Sequence, residues 1–517
     1  MISPLAITVA IAILGLVAWV NYKSHGQRPF PPGPPRKWLV GNTLDFPNSR
    51  PWITFRDWCN RYGNLVFVDL PFKPIVLIGS VEVAKDLLET RSNIYSDRPY
   101  SPMIELVKWD WAIATMPYTS EWRTRRRHFR QLFGRPALHQ YHDIQLQETH
   151  SMLAKILDNP AQARQHIRSL PGSSIIRAVY GPRDASQMRE YVRTAELALE
   201  SARILTVPGA FLAELIPSLK YIPDWLPGGS ARRFAKKYKP ILEEMKNKAF
   251  DEVKSNMAEG KAVDSAAYKL IRTMQDDQGN MTNGQDVTAR CVAASAYAGA
   301  ADTTTAGVEA FVCAMAMHPE AQKKAQDELD RVVGPTRLPD FGDLESLIYV
   351  RAIMLETLRW IPTAPLGLLP RRLMEDDLYN GYYLPKGTIV IPNIWAMLHN
   401  PKDYPGPETF RPERFLDEHG NISLSVRDPT TIVFGFGRRI CAGADFALVM
   451  LNITIASMLH VFEVKAGVDE HGQPLVLASE GTDEGISSPM TFPRHIKPRS
   501  AQAERLIGDI VLAEQFC

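Results

Sequence analysis

The sequence predicts a mainly α fold with a small β lobe, entered through one N-terminal membrane span. Three observations carry that reading. Residues 287–317 are mostly Ala, Val, Met and Thr with no proline until His318-Pro319; at about 1.5 Å per residue this is a helix of about 45 Å, enough to cross a domain. Strand-like patterns are confined to two short stretches, 65–79 and 381–393. Residues 2–20 contain no charge and read ITVAIAILGLVAWV through most of their length, which just crosses a hydrocarbon core of about 30 Å.

Taken in order, the apolar span has no basic stretch before it and no small-residue cleavage site, which argues against a removed signal peptide. Lys23, Arg28, Arg36 and Lys37 follow it, so the positive-inside rule places the rest of the chain in the cytosol. The run PFPPGPP at 29–35 can neither continue a helix nor pair as a strand. Residues 1–22 are therefore read as a membrane anchor and 23–45 as a basic, proline-rich hinge. Helical spacing at 52–62 precedes a hairpin, LVFVDL then PIVLIG. Residues 96–118, rich in aromatics such as Trp109, Trp111 and Tyr118, form a long loop, functional or simply packed.

EWRTRRRHFRQ at 121–131 places Trp122 and Arg126 on one helix face. Arg123, Arg125, Arg127 and Arg130 lie elsewhere around it, as a solvated face or as a docking patch for an acidic electron donor. Residues 141–257 are a helical block broken by IPDWLPGG at 222–229. GYYLPKGTIVIPN at 381–393 reads as strand, turn, strand. The formal charge of +2 gives no global reason to expect nucleic acid as a partner. Five dispersed cysteines without a CxxC pair argue against a disulfide framework or a zinc site and fit a reducing compartment.

One stretch concentrates chemistry: FGFGRRICAG at 434–443, followed at once by an apolar helical run from Ala444. A thiolate on Cys441 would sit at a helix N-terminus, where backbone N–H groups favour negative charge. Gly435, Gly437 and Gly443 would let a flat ligand approach the backbone, and Arg438 and Arg439 add donors for carboxylates. With Phe434, Gly437, Arg439, Cys441 and Gly443 at fixed offsets, the stretch resembles the haem-binding signature of the cytochrome P450 family.

That resemblance covers nearly the whole chain and implies one helix-rich catalytic domain, 46–500, with a tail at 501–517. It implies haem b with iron held by the Cys441 thiolate, and Trp122, Arg126 and Arg371 against the haem propionates. GAADTT at 299–304 resembles the family's oxygen-activation motif, with Asp302 and Thr303 as the acid–alcohol pair and Ala300 where the family usually has Gly. Glu356 and Arg359 of ETLR, with Arg414 of PERF, resemble its structural ion-pair lock. Leu366, Leu368, Leu369, Gly485 and Ile486 are expected to line the substrate pocket.

The implied activity is insertion of one oxygen atom of O₂ into a small apolar molecule, as in fungal secondary-metabolite biosynthesis. The chain carries no nicotinamide or flavin motif, so its expected partner is an NADPH-dependent, flavin-containing reductase. The expected setting is the endoplasmic reticulum bilayer, crossed once. Two rivals are a haem-thiolate isomerase or dehydratase needing no O₂, and a non-catalytic haem sensor. The intact Asp302-Thr303 pair and the basic helix around Arg126 argue against the first, and the substrate loops with the same pair against the second.

Overall fold

The computed structural model describes residues 29–515 apart from 39, 72, 183, 208, 469–470, 472, 474, 476, 478–480 and 491–493. The expected anchor at 1–22 lies outside the described residues. Among them, one helix is long and apolar enough to cross a membrane, Ala444–Val461, and it is 67% buried inside the protein. It is a core helix.

The helices that place the site are α1 (Pro51–Tyr62), α2 (Pro102–Val107), α3 (Ser120–Phe133), α4 (His142–Asp158), α5 (Ala163–Tyr180), α6 (Ala185–Thr206), α7 (Ser230–Ala258), α8 (Ala266–Met274) and α9 (Asn283–Met317). They are followed by α10 (Pro319–Val332), α11 (Ile348–Trp360), α12 (Ile394–Leu398), α13 (Ala444–Val461) and α14 (Ala501–Gln515). The strands are β1 (Leu65–Val68), β2 (Ile75–Ile78), β3 (Arg371–Arg372), β4 (Asp377–Tyr379), β5 (Tyr382–Leu384), β6 (Ile389–Pro392), β7 (Phe462–Ala466) and β8 (Arg494–Pro498).

Helix α9 is the spine. It starts four residues before the apolar run because Thr282 and Gln285 form a reciprocal capping box around a polar first turn. Its first half, through Ala301, packs in one apolar cluster with α3, α5 and α7, and its second half, from Val308, packs in another with α11 and α13. The Asp302-Thr303 turn lies where one core gives way to the other.

The expected hairpin forms as β1–β2, and β6 and β3 extend it to a four-stranded sheet of order β1-β2-β6-β3. Alternate residues divide between two cores: Leu65, Phe67, Val76 and Ile78 face the large cluster, while Val66, Val68, Ile75 and Leu77 pack with Phe55 and Cys59 of α1. The two strands expected within 381–393 form, as β5 and β6, but they do not pair with each other. β5 pairs antiparallel with β4 and β6 runs parallel to β2. The tight turn is Asn380-Gly381, both at positive φ, a strong two-residue hairpin signal that sits upstream of the predicted turn.

The proline run is seated on this lobe. The Phe67 N–H donates to Pro32 O, and the Tyr383 N–H to Pro29 O. Asn42 is fully buried and bonds Pro34 O, Pro35 O and the Asp69 backbone. At the other end, 501–515 form a helix whose Ala503 and Ile507 enter the large core, so the domain continues through the stretch set apart above as a tail.

Candidate haem-thiolate site

A helical turn at Thr430–Val433 delivers the chain to Phe434, whose carbonyl accepts from the Cys441 N–H at 2.9 Å and closes the loop. The glycines do different work. Gly437 has φ 54°, and a Cβ there would lie 1.9 Å from Leu88 O, so this glycine lets the loop press against the protein's own backbone. Gly435 and Gly443 have nothing within 4 Å of an added Cβ, so theirs is the open side, where a flat group can approach. Helix α13 begins at Ala444, and the Gly443 N–H donates to the Cys441 sulfur. Burial pushes the Cys441 thiol up, against the pull of that N–H and of Arg126. Cys59, Cys291 and Cys313 are buried in the apolar cores; among the described residues Cys441 is the exposed cysteine.

Arginines converge beside this loop. Arg371, first residue of β3, donates to Phe436 O at 2.5 Å. Arg439 donates to Ser96 O at 2.7 Å and Met116 O at 2.8 Å, and its guanidinium lies 4.2 Å from the centre of the Trp122 ring. Arg126 donates to Ile440 O, next to the cysteine. Sequence reasoning missed a fourth, Arg98, which donates to Leu369 O, Pro370 O and Ala114 O. It stands in the 96–118 loop, where the aromatics drew attention.

These donors end on carbonyls, which satisfy hydrogen bonds without cancelling charge. Burial, then Arg98, pushes Arg439 down to about 8 and Arg371 to about 9; burial takes Arg98 to about 10. Of the carboxylates whose fields reach them, Asp97 is paired with Arg372, and Glu89 acts on Arg371 at a distance. The donor set therefore fits a buried ligand carrying carboxylates.

The structure divides the tryptophan–arginine pair of α3. Trp122 gives its indole N–H to Ile113 O at 3.0 Å and serves as a platform for Arg439. Arg125 is no part of a solvated or docking face: it is 4% exposed and bonds Trp111 O and Glu121. Arg123, Arg127 and Arg130 are exposed.

On α9, Thr303 Oγ1 donates to Gly299 O at 2.8 Å, the back-bond that bends such helices. Asp302 turns to other elements, paired with Arg203 of α6 at 2.7 Å and Arg168 of α5 at 3.3 Å. Both arginines come from the stretch that carried no motif. The Ala300 side chain packs against the core cluster of the first half of α9, while an added Cβ on Gly299 meets nothing within 4 Å. Leu368 and Gly485 meet over Thr206, whereas Leu366 packs on the sheet with α1.

A family model described as Cytochrome P450 matches residues 31–477. The chain is a member of the cytochrome P450 family. Cytochrome P450 monooxygenase COX1 of Coprinopsis cinerea is 36% identical over 93% of both chains. A cytochrome P450 monooxygenase of Armillaria gallica is 38% identical, over 97% of this chain and 98% of its own. Cytochrome P450 monooxygenase 208 of Postia placenta is 38% identical, over 97% and 96%. This cytochrome P450 is accordingly a monooxygenase with b-type haem on a cysteine thiolate.

Proposed function

We propose that this cytochrome P450 inserts one oxygen atom of O₂ into a small apolar molecule in fungal secondary metabolism, with electrons from an NADPH-dependent flavin reductase. The observation that supports it best is Cys441, exposed in a glycine loop at the start of α13 beside a set of arginines with uncompensated charge. Cys441 supplies the thiolate, and Arg98, Arg126, Arg371 and Arg439 hold the haem carboxylates. Haem, when bound, supplies the oxygen chemistry, and a thiolate ligand favours O–O cleavage. Thr303 Oγ1, anchored on Gly299 O, positions a proton on the open side of α9. Asp302, held in place by Arg168 and Arg203, is the group beside that turn able to take up a proton from solvent and release it towards Thr303, while the two arginines hold its carboxylate without carrying protons themselves.

Arg123, Arg127 and Arg130 on the outer face of α3 offer an acidic reductase a docking surface. Residues 1–22 cross the endoplasmic reticulum bilayer once, leaving the domain in the cytosol. The segment between α6 and α7 exposes Leu212, Leu215, Ile216, Tyr221 and Trp225, and Lys73 of the β1–β2 turn donates to Glu214 O within it. That face rests on the membrane, with Trp38 and Leu44 of the same lobe.

Thr303→Ala tests the reading. Folding and substrate binding persist, while product per NADPH falls and hydrogen peroxide rises, because positioned proton transfer is worth about 10²–10⁴-fold. Full coupling in the variant would remove Thr303 from this role, and turnover that needs no NADPH would favour the isomerase.

A further inference from the structure

Away from Cys441, the first turn of α1, the end of α11 and α12 line a partly open cavity of about 220 Å³. Trp52, Trp360 and Trp395 supply aromatic walls, Ile53, Ile361 and Pro362 apolar ones, and Arg50, Arg56 and Glu408 a charged rim. Trp395 is layered between the guanidinium of Arg56, 5.0 Å from its centre, and the ring of His399, 4.1 Å away and nearly parallel. The lining therefore favours a flat molecule of modest size.

His399 adds a directional feature. It is 5% exposed and lines the cavity. Burial, then Arg359, holds it down to about 3, so the ring is neutral. Nδ1 lies 2.9 Å from Trp395 O, and because a carbonyl only accepts, the proton sits on Nδ1. Nε2 is then a lone-pair acceptor, and among the described residues the ring's one hydrogen bond is that of Nδ1. A hydrocarbon entering here would seal that acceptor off unpaired, whereas a hydroxyl would satisfy it.

Two walls of the cavity continue into the segments that the family resemblance assigns to the substrate pocket. Pro362 and Pro365 precede Leu368, and Gly481 and Ser487 flank Gly485; the Ser487 N–H donates to Thr363 O at 2.8 Å and joins the two segments. Farther along, Leu368 and Gly485 meet over Thr206. A ligand in the cavity thus touches segments that also carry Leu368 and Gly485, the residues expected at the substrate pocket.

We propose that this cavity is a second binding site for a small, flat, hydroxyl-bearing molecule, the class of compound that this enzyme's product joins and its apolar substrate does not. The product assignment rests on the monooxygenase reading; the binding site does not. Its test is calorimetric titration of the holoenzyme, with the haem pocket filled by 4-phenylimidazole on the iron, using 2-naphthol and 2-methoxynaphthalene. The naphthol binds one to one and at least tenfold more tightly than its methyl ether. His399→Phe, which keeps a ring on Trp395 but no acceptor, removes that preference. Ile53→Trp, which fills the cavity from α1, weakens naphthol at least tenfold while the 4-phenylimidazole spectrum is unchanged. Equal affinities for the two probes, no binding of naphthol, or unaltered binding in Ile53→Trp overturns the proposal. Failure of NADPH-dependent turnover would strike the monooxygenase reading and leave these titrations unaffected.

Discussion

Two groups of arginines gather inside this protein or at its inner walls, and their charges are balanced differently. In the first, Arg359 of α11 binds Glu356 through two nitrogens at 2.7 and 2.8 Å, and Arg414 joins the same carboxylate at 3.1 Å. The Arg411 N–H also donates to it, and the remaining guanidinium donors reach carbonyls of residues 398–409. All three side chains are essentially sealed from solvent. In the second group Arg371 is buried and Arg98 and Arg439 are partly exposed, and their hydrogen bonds end on carbonyls, with Asp97 and Glu89 acting on them only through their fields. The first cluster, two guanidinium groups sharing the one carboxylate of Glu356, has its own counter-charge built in and holds the loop that leads to Cys441. An uncompensated cluster marks where a charged ligand belongs.

The contrast breaks most visibly at Glu356. Glu356→Ala strands two buried guanidinium groups, and chemical unfolding should show a loss of about 3–5 kcal/mol with or without haem. A loss under 1 kcal/mol would mean that the carbonyls alone support the lock. Next is the loop itself: Gly437→Ala forces a side chain into left-handed backbone and into Leu88 O, costing at least about 1–2 kcal/mol, while Gly443→Ala leaves unfolding of the haem-free protein unchanged. Equal effects would mean that the two glycines do not differ in role.

Arg371→Leu should behave in the opposite way to Glu356→Ala. Stability of the haem-free protein changes by less than about 1 kcal/mol, because lost bonds to carbonyls oppose relief of repulsion from Arg98. Haem affinity falls by about 1.5–3 kcal/mol, the worth of a hydrogen bond to a charged group, read by haem transfer to an acceptor protein. A variant that unfolds readily but keeps its haem would place Arg371 with the lock. The smallest effect concerns the surface. Arg127→Glu should slow reductase-dependent reduction, more so at low salt, with no change in stability. Unaltered reduction at low salt would leave α3 as solvated surface only.

What the sequence discloses here is largely local. The spine helix shows in its proline-free run, the first hairpin in its strand residues, and the cysteine loop in its glycines. Even so, Gly437 is needed for Leu88 rather than for a flat ligand, a distinction set by a contact across the chain. The pairing of β6 with β2 was hidden for the same reason, since its partner lies over 300 residues away. Arg98, Arg168 and Arg203 have no motif of their own; they acquire meaning from Arg439 and Asp302, which folding brings to them. Arg125 reads as one more exposed cation in a basic run, yet its α3 position points it at Trp111 O.

The central claim is that Cys441 is the thiolate of the bound haem, with the uncompensated arginines around the carboxylates. The most direct measurement is the difference spectrum of the reduced protein with carbon monoxide, taken on the native chain and on Cys441→Ala. The native protein should give the thiolate-type Soret band. The variant should lose it while the arginines still retain some haem, because no other described cysteine opens from the core. The same band in Cys441→Ala would contradict the account.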